Sequence, residues 1–242
     1  MPQFWEHVNA VLKEASIIIE VLDARAIEDS RNIEIEDKVR RWGKKLLYVI
    51  NKADLVNVEE LKHQSLKPSV FVSSTNKLGT TILKKKILEL SHGEKVVVGI
   101  VGYPNVGKSS LINALSGRGA ARTSAESGFT KGMQKIRVGR KITLLDTPGV
   151  FPDKEKGAFK HIKIGAVDYA KVKDPETAAL QFIEENKELV KKYYHLTEDD
   201  PEDILNEIGM KLHKLAKGGK PNLEVVARLV LKDWQIGKMK KR

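Results

Sequence analysis

The sequence predicts an α/β domain built on a parallel sheet, followed by a small all-α domain. Three observations lead there. Short β-branched runs alternate with amphipathic helical segments as far as Leu145, the pattern of βα units around a parallel sheet. One of those runs, Lys95-Val96-Val97-Val98-Gly99-Ile100-Val101, leads into Gly102-Tyr103-Pro104-Asn105-Val106-Gly107-Lys108-Ser109, which satisfies G-x-x-x-x-G-K-[ST] at every fixed position. Beyond about Asp174 the spacing is helical throughout.

Residues 4–15 place Phe4, Val8, Val11 and Leu12 on one helical face, and residues 17–22 are a buried strand ending at Asp23-Ala24-Arg25. A charged helix over 34–42 is organised by Ile35, Val39 and Trp42 and stopped by Gly43. Residues 46–50 form a second strand that runs into Asn51-Lys52-Ala53-Asp54. A helix over roughly 58–66 leads through Pro68 to the strand Val70-Phe71-Val72 and then to Ser73-Ser74-Thr75. Residues 80–90 are helical, the strand at 95–101 follows, and residues 110–115 form the helix behind the glycine-rich turn, stopping near Gly117. Residues 135–138 and 141–145 make a hairpin around Gly139-Arg140 that ends in Asp146-Thr147-Pro148-Gly149. In such a sheet the ligand lies beyond the carboxyl ends of the strands. Every one of these motifs falls at such an end, which predicts one shared site.

Strand, glycine-rich turn and helix together read as a phosphate site. The glycines let backbone N–H groups approach an anion, and the helix N-terminus adds its partial positive charge. Lys108 is then placed for the β- and γ-phosphates and Ser109 for Mg²⁺, with Asn105, Val106, Gly107 and Ser110 completing the cradle. Asn51-Lys52-Ala53-Asp54 is N-K-x-D. A carboxylate at Asp54 accepts two hydrogen bonds and so matches the N1–H and 2-amino group of guanine, whereas adenine would leave it unpaired in a buried site. Asn51 braces the loop and faces the base, and the Lys52 stem covers one face of the ring. Ser73-Ser74-Thr75 is either a plain turn or the donor of a backbone N–H to guanine O6.

Residues 122–131, rich in Ser, Gly and Thr, read as a mobile loop in which Thr130 can reach Mg²⁺ and the γ-phosphate. Asp146 fits a carboxylate held near Mg²⁺ through its shell, and the Gly149 N–H fits the γ-phosphate. Lys108, Thr130 and Gly149 are therefore expected to be catalytic, with GTP and GDP as substrate and product. Val150 follows Gly149, where a glutamine would orient the attacking water, so intrinsic hydrolysis is expected to be slow.

In ordinary small GTPases N-K-x-D follows the P-loop; here it precedes it. Too few residues precede Asn51 for another P-loop half, and no second N-K-x-D follows Gly149, so tandem domains do not explain the order. A circular permutation of one sheet does. With Val21-Leu22-Asp23-Ala24-Arg25, Ser30-Arg31-Asn32 and Gly128-Phe129-Thr130-Lys131-Gly132-Met133-Gln134 added to these motifs, the chain resembles the circularly permuted GTPases of the YlqF or ribosome biogenesis GTPase A family. The resemblance implies a P-loop GTPase domain of permuted order and GTP hydrolysis coupled to assembly of the large ribosomal subunit or its precursor, with rRNA as the main contact. It also adds Asn105 to the expected catalytic set, as the holder of a K⁺ that neutralises charge as an arginine finger does; read without the resemblance, Asn105 is a turn residue. Bacterial members open with Pro-Gly-His; Phe4-Trp5-Glu6-His7 departs from that and is closer to archaeal or nucleolar relatives. His7 reads better as a helix-surface histidine than as a catalytic group.

Domain limits of 1–167 and 168–242 are expected. In the second domain, helices over 175–193, 201–216 and 222–237 are separated by Pro201 and Gly218-Gly219-Lys220-Pro221. Ala178, Ala179, Phe182 and Ile183 are expected to face Ile204, Leu205, Ile208, Leu212 and Leu215 in a small bundle, with Val225, Val226, Leu229, Val230 and Trp234 from the third helix. The 242-residue chain carries 43 Lys+Arg against 32 Asp+Glu, net +11, which suggests an anionic partner. Much of the excess is local: Lys211, Lys214, Lys217, Lys220, Arg228, Lys232, Lys238, Lys240, Lys241 and Arg242 face only Glu224 and Asp233 in the same stretch. Such a cluster predicts a salt-sensitive, phosphate-tracking RNA surface. The chain has no cysteine, which excludes disulfides and Cys-based zinc sites. No apolar run of membrane-spanning length and no signal peptide is evident, so the expectation is a cytoplasmic protein without membrane contact. Nothing demands more than a monomer. Two other readings compete with the assembly enzyme: a GTP-gated RNA-binding placeholder with little turnover, and a signalling GTPase with protein partners.

Overall fold

β1 (Ile17–Asp23) is buried at all seven positions, which requires cover on both faces of the sheet. It lies inside a six-stranded sheet with β2 (Lys45–Asn51), β3 (Ser69–Phe71), β4 (Val96–Val101), β5 (Gln134–Val138) and β6 (Ile142–Asp146), in the spatial order β3-β2-β1-β4-β6-β5. All neighbours are parallel except β5, which runs antiparallel to β6. The chain moves outward from β1 through β2 to β3, then returns to β4 on the other side of β1. The switch of direction falls between β1 and β4, where an open α/β sheet forms its ligand crevice. The computed structural model describes residues 2–63, 66–117, 134–147 and 158–241.

One face of the sheet is covered by α1 (Pro2–Glu14) and α2 (Ile33–Arg41). Val8, Val11 and Leu12 of α1 and Ile35 and Val39 of α2 pack with Ile18, Val101 and Leu145, each buried side chain of this size contributing about 1.5–3 kcal/mol. Asn32 caps α2 by accepting from the Ile35 N–H at 3.1 Å. α3 (Val58–Lys62) is shorter than the sequence predicts; α4 (Thr80–Leu90) and α5 (Lys108–Ser116) fall where expected.

The chain divides into two units, Met1–Lys156 and Gly157–Arg242, a division earlier in the chain than the expected limit at 167. The reason is α6 (Ala158–Lys163), which belongs to the helical core: Phe159, Ile162 and Val167 pack against it, and the Trp234 indole N–H donates to the Lys163 carbonyl at 2.6 Å. Around Phe182 and Trp234, whose rings lie 5.0 Å apart, the second unit gathers α7 (Pro175–Glu185), α8 (Lys187–Tyr194), α9 (Pro201–Lys211) and α10 (Leu223–Gln235).

Two expected helices end differently. The segment 175–193 breaks at Asn186, whose side-chain amide donates to the Phe182 carbonyl at 3.0 Å and competes with the helix backbone. α9 stops at Lys211, and His213 turns the chain with φ 51°. Leu212 and Leu215, expected in the core, are consequently 38% and 42% exposed. Val225 also points outward, while Ala227 and Leu231 fill the core instead.

Candidate functional site

The turn after β4 is shaped by two glycines with positive φ. At Gly102 (φ +139°) a Cβ would stand 2.7 Å from the Val21 carbonyl oxygen, and at Gly107 (φ +99°) it would stand 2.3 Å from the Asn51 side-chain nitrogen. Asn105 also occupies the left-handed region, φ 61°. Lys108 opens α5 and folds back, its ammonium donating to the Gly102 and Tyr103 carbonyls at 3.0 and 2.7 Å. Burial pushes that ammonium down to about 8, opposed by Asp146. Ser109 and Ser110 follow, half-buried.

Asn51, the last residue of β2, joins three motifs. Its side-chain amide donates to the Val106 carbonyl at 2.9 Å, while its oxygen accepts from the Ser74 hydroxyl and backbone N–H at 2.7 and 3.2 Å. The glycine-rich turn, N-K-x-D and the serine loop are thereby one hydrogen-bonded assembly. The Ser73 hydroxyl donates to the Asp54 carboxylate at 2.6 Å. Thr75 is exposed at the rim.

Asp146 ends β6 opposite Ile100 of β4, and the Thr147 hydroxyl donates to the Ile100 carbonyl at 2.7 Å. The Asp146 carboxyl is pushed up to about 6 by burial, against the pull of Lys108. Its Oδ1 is buried with no hydrogen-bond partner among the described residues. An orphaned buried carboxylate oxygen at this place suits the neighbourhood of a divalent cation. Thr130, Gly149 and Val150 lie outside the described residues, as do the segment 122–131, the side chain of His7 and all of Arg242.

Sequence reasoning did not find the buried charges beside the site. Asp23 accepts from the Arg25 N–H, Nε and Nη2 at 3.0, 2.9 and 2.7 Å and from the Lys52 ammonium at 2.8 Å. Burial alone would raise its carboxyl, but Lys52 and Arg25 outweigh that and hold it well below the usual carboxylate range. Earlier on β1, Glu20 accepts from the Asn32 N–H at 2.7 Å and has its other oxygen buried without a partner among the described residues. Burial, reinforced by Glu36, pushes it up to about 8. Glu36 itself is held by Arg31 and Tyr48. The available signal was a Glu inside an otherwise apolar strand and Asp-x-Arg at its end.

In the helical unit the basic residues divide by what they touch. Arg228 pairs with Glu224 and donates to the Tyr169 and Ala170 carbonyls, Lys238 pairs with Asp233, and Lys211 donates to the His195 carbonyl. Lys232 and Lys241 lie over the Tyr169 and Trp234 rings. Lys214, Lys217 and Lys220 stand on an exposed hairpin closed by Asn222 N–H to Lys214 O and Ala216 N–H to Lys220 O, both 2.8 Å. These three and Lys240 are solvent-facing without an ion pair among the described residues. Among those residues no helix is long and apolar enough to cross a membrane.

Residues 97–213 match the family described as 50S ribosome-binding GTPase. The chain is 40% identical to the GTP-binding protein MJ1464 of Methanocaldococcus jannaschii, over 96% of this chain and 65% of that protein. It is 30% identical to the nuclear GTP-binding protein NUG1 of Saccharomyces cerevisiae, over 96% of this chain and 54% of the relative. The chain thus spans about half to two thirds of the length of these relatives. GNP-bound YlqF from Thermotoga maritima superposes with TM-score 0.67 over 98% of this chain and 95% of that one, at 23% identity; the GDP-bound form gives 0.68 over 97% and 96%. That likeness shows the α/β fold with its permuted strand order and helical C-terminal region. The expected cytoplasmic location is overturned: NUG1 is by name nuclear, and other matched relatives are by name nucleolar. Neither the absence of cysteine nor the lack of a long apolar segment separates cytoplasm from nucleus.

Proposed function

As the chain belongs to the circularly permuted GTPases of the YlqF and ribosome biogenesis GTPase A family, we propose that it binds and hydrolyses GTP as an assembly factor of the large ribosomal subunit. The observation that carries this reading is the convergence on Asn51 at the carboxyl end of β2, which ties the glycine-rich turn after β4 to the serine loop after β3. Asp54 reads guanine, Lys52 covers the ring, and the serine loop closes over the base edge. The backbone N–H groups of 105–110 hold the phosphates, and Lys108 turns from its own loop carbonyls to the β- and γ-phosphates, recovering the charge that burial depresses. Ser109, Thr130 and Asp146 would hold Mg²⁺ and Asn105 a K⁺, which when bound supply neutralising charge at the β- and γ-phosphates. Val150 presents no hydrogen bond to water, so intrinsic turnover is slow and the ribosomal particle supplies the missing group. The basic residues of the helical unit contact rRNA phosphates.

Val150 also favours a second reading, a GTP-gated RNA-binding placeholder that turns over little. GTP turnover in K⁺, with and without purified large subunits or their precursors, separates the two. Multiple turnovers stimulated by the particle, lost in Lys108→Ala and reduced in Na⁺, support the assembly enzyme. Tight GTP binding without stimulation supports the placeholder.

A further inference from the structure

We propose that Asp23 is a positioning residue for the guanine-reading loop and acts through Lys52. The inference rests on the guanine-nucleotide reading above and assigns a role to a residue that reading leaves idle. Three of the bonds to Asp23 come from Arg25 alone, through its backbone N–H, Nε and Nη2. The fourth comes from Lys52, so the carboxylate uses every lone-pair position it has. Arg25 would suffice to satisfy a merely structural Asp23. The additional bond falls on the one residue of N-K-x-D that has a left-handed backbone, Lys52 with φ 59°, a conformation uncommon for any residue but glycine.

The backbone places this tie where it has leverage. Asp23 and Asn51 are register partners on adjacent parallel strands, and the Ala24 N–H donates to the Asn51 carbonyl at 2.9 Å. The end of β1 is further fixed by Ser30, whose hydroxyl accepts from the Asp23 N–H at 3.0 Å and lies within 2.8 Å of the Ala26 carbonyl. Asp23 is therefore a rigid post and Lys52 the movable group beside it. A lysine side chain loses considerable rotamer freedom when ordered. With Asp23 in place that ordering is complete before the nucleotide arrives, so the stem is already extended along the base site.

The test uses the full chain and the dissociation of fluorescently labelled GDP from wild type, Asp23→Asn, Lys52→Met and the double variant. Asp23→Asn and Lys52→Met should each speed dissociation about tenfold, and the double variant should be no faster than Lys52→Met, the coupling expected of two groups acting as one. Unchanged dissociation in Asp23→Asn, or effects that multiply in the double variant, would overturn the proposal. Should Asp23→Asn fail to fold in a thermal scan, ¹⁵N-lysine NMR of the ligand-free wild type decides. A slowly exchanging Lys52 ammonium supports the tie, and one exchanging freely with solvent refutes it. Failure of wild type to bind labelled GDP would instead strike the guanine reading, and this inference with it.

Discussion

The two units treat charge in opposite ways. In the first, Asp23, Arg25, Glu36, Lys108 and Asp146 are all buried, and nearly every one is committed to a named neighbour. In the second, Lys214, Lys217, Lys220 and Lys240 stand in solvent, and engaged basic residues such as Arg228, Lys238 and Lys211 serve the bundle itself. Buried, mutually bonded charges are costly to disturb singly and act as a unit. Exposed ones act additively and yield to salt. The nucleotide site should therefore fail abruptly when one part is changed, and the basic surface should fade by degrees.

The largest effect is expected at Gly107. A Cβ there stands 2.3 Å from the Asn51 side-chain nitrogen, and the backbone has φ +99°. Gly107→Ala should weaken nucleotide binding about 100-fold, the counterpart of about 2.7 kcal/mol of strain and displaced contacts, as titration calorimetry would record. Retained affinity would mean that the junction at Asn51 is dispensable. Asn51→Ala should lower unfolding stability by about 2 kcal/mol even without nucleotide, because the Val106 carbonyl and Ser74 lose buried partners; urea denaturation measures this.

Glu20 sharpens the comparison through pH. Its folded value of about 8 lies above the unfolded value of 4.5, so the folded state binds its proton more tightly. The associated stability is complete below 4.5 and drains away as pH rises through about 8. Glu20→Gln should match wild type in acid and exceed it at pH 9 by at least about 1 kcal/mol; parallel pH profiles for the two proteins would contradict the assignment. The smallest effects belong to the hairpin. Lys214→Ala, Lys217→Ala and Lys220→Ala should each leave stability within about 0.5 kcal/mol. Each should also reduce the slope of log affinity for RNA against log salt by about 0.7–0.9. A single substitution that abolished RNA binding would show the basic surface to be as cooperative as the nucleotide site.

The motifs of the first unit were legible because their chemistry fixes residue types at fixed spacing. Gly102, Gly107, Lys108, Asn51 and Asp146 appear where G-x-x-x-x-G-K-[ST], N-K-x-D and D-x-x-G put them. The permuted order was legible for the same reason, since the motifs are directional labels on the strands. The ties among motifs were not: Asn51 meets Val106 across 55 positions and Lys52 meets Asp23 across 29, pairings set by strand order rather than by local pattern. In the helical unit, apolar spacing located the core around Phe182 and Trp234. It could not foresee that Asn186 would break a helix or that His213 would turn the chain and leave Leu212 and Leu215 exposed, because those outcomes depend on competing hydrogen bonds and backbone conformation at single residues.

The most direct test is titration calorimetry of the full chain with GDP and with ADP in Mg²⁺ buffer, for wild type and Asp54→Asn. If Asp54 reads guanine, wild type binds GDP at least about 10⁴-fold more tightly than ADP. Asp54→Asn loses that affinity and gains binding of xanthosine diphosphate, whose 2-oxygen accepts from the new amide. Equal affinity of wild type for GDP and ADP, or an Asp54→Asn protein that still prefers GDP, would contradict the account.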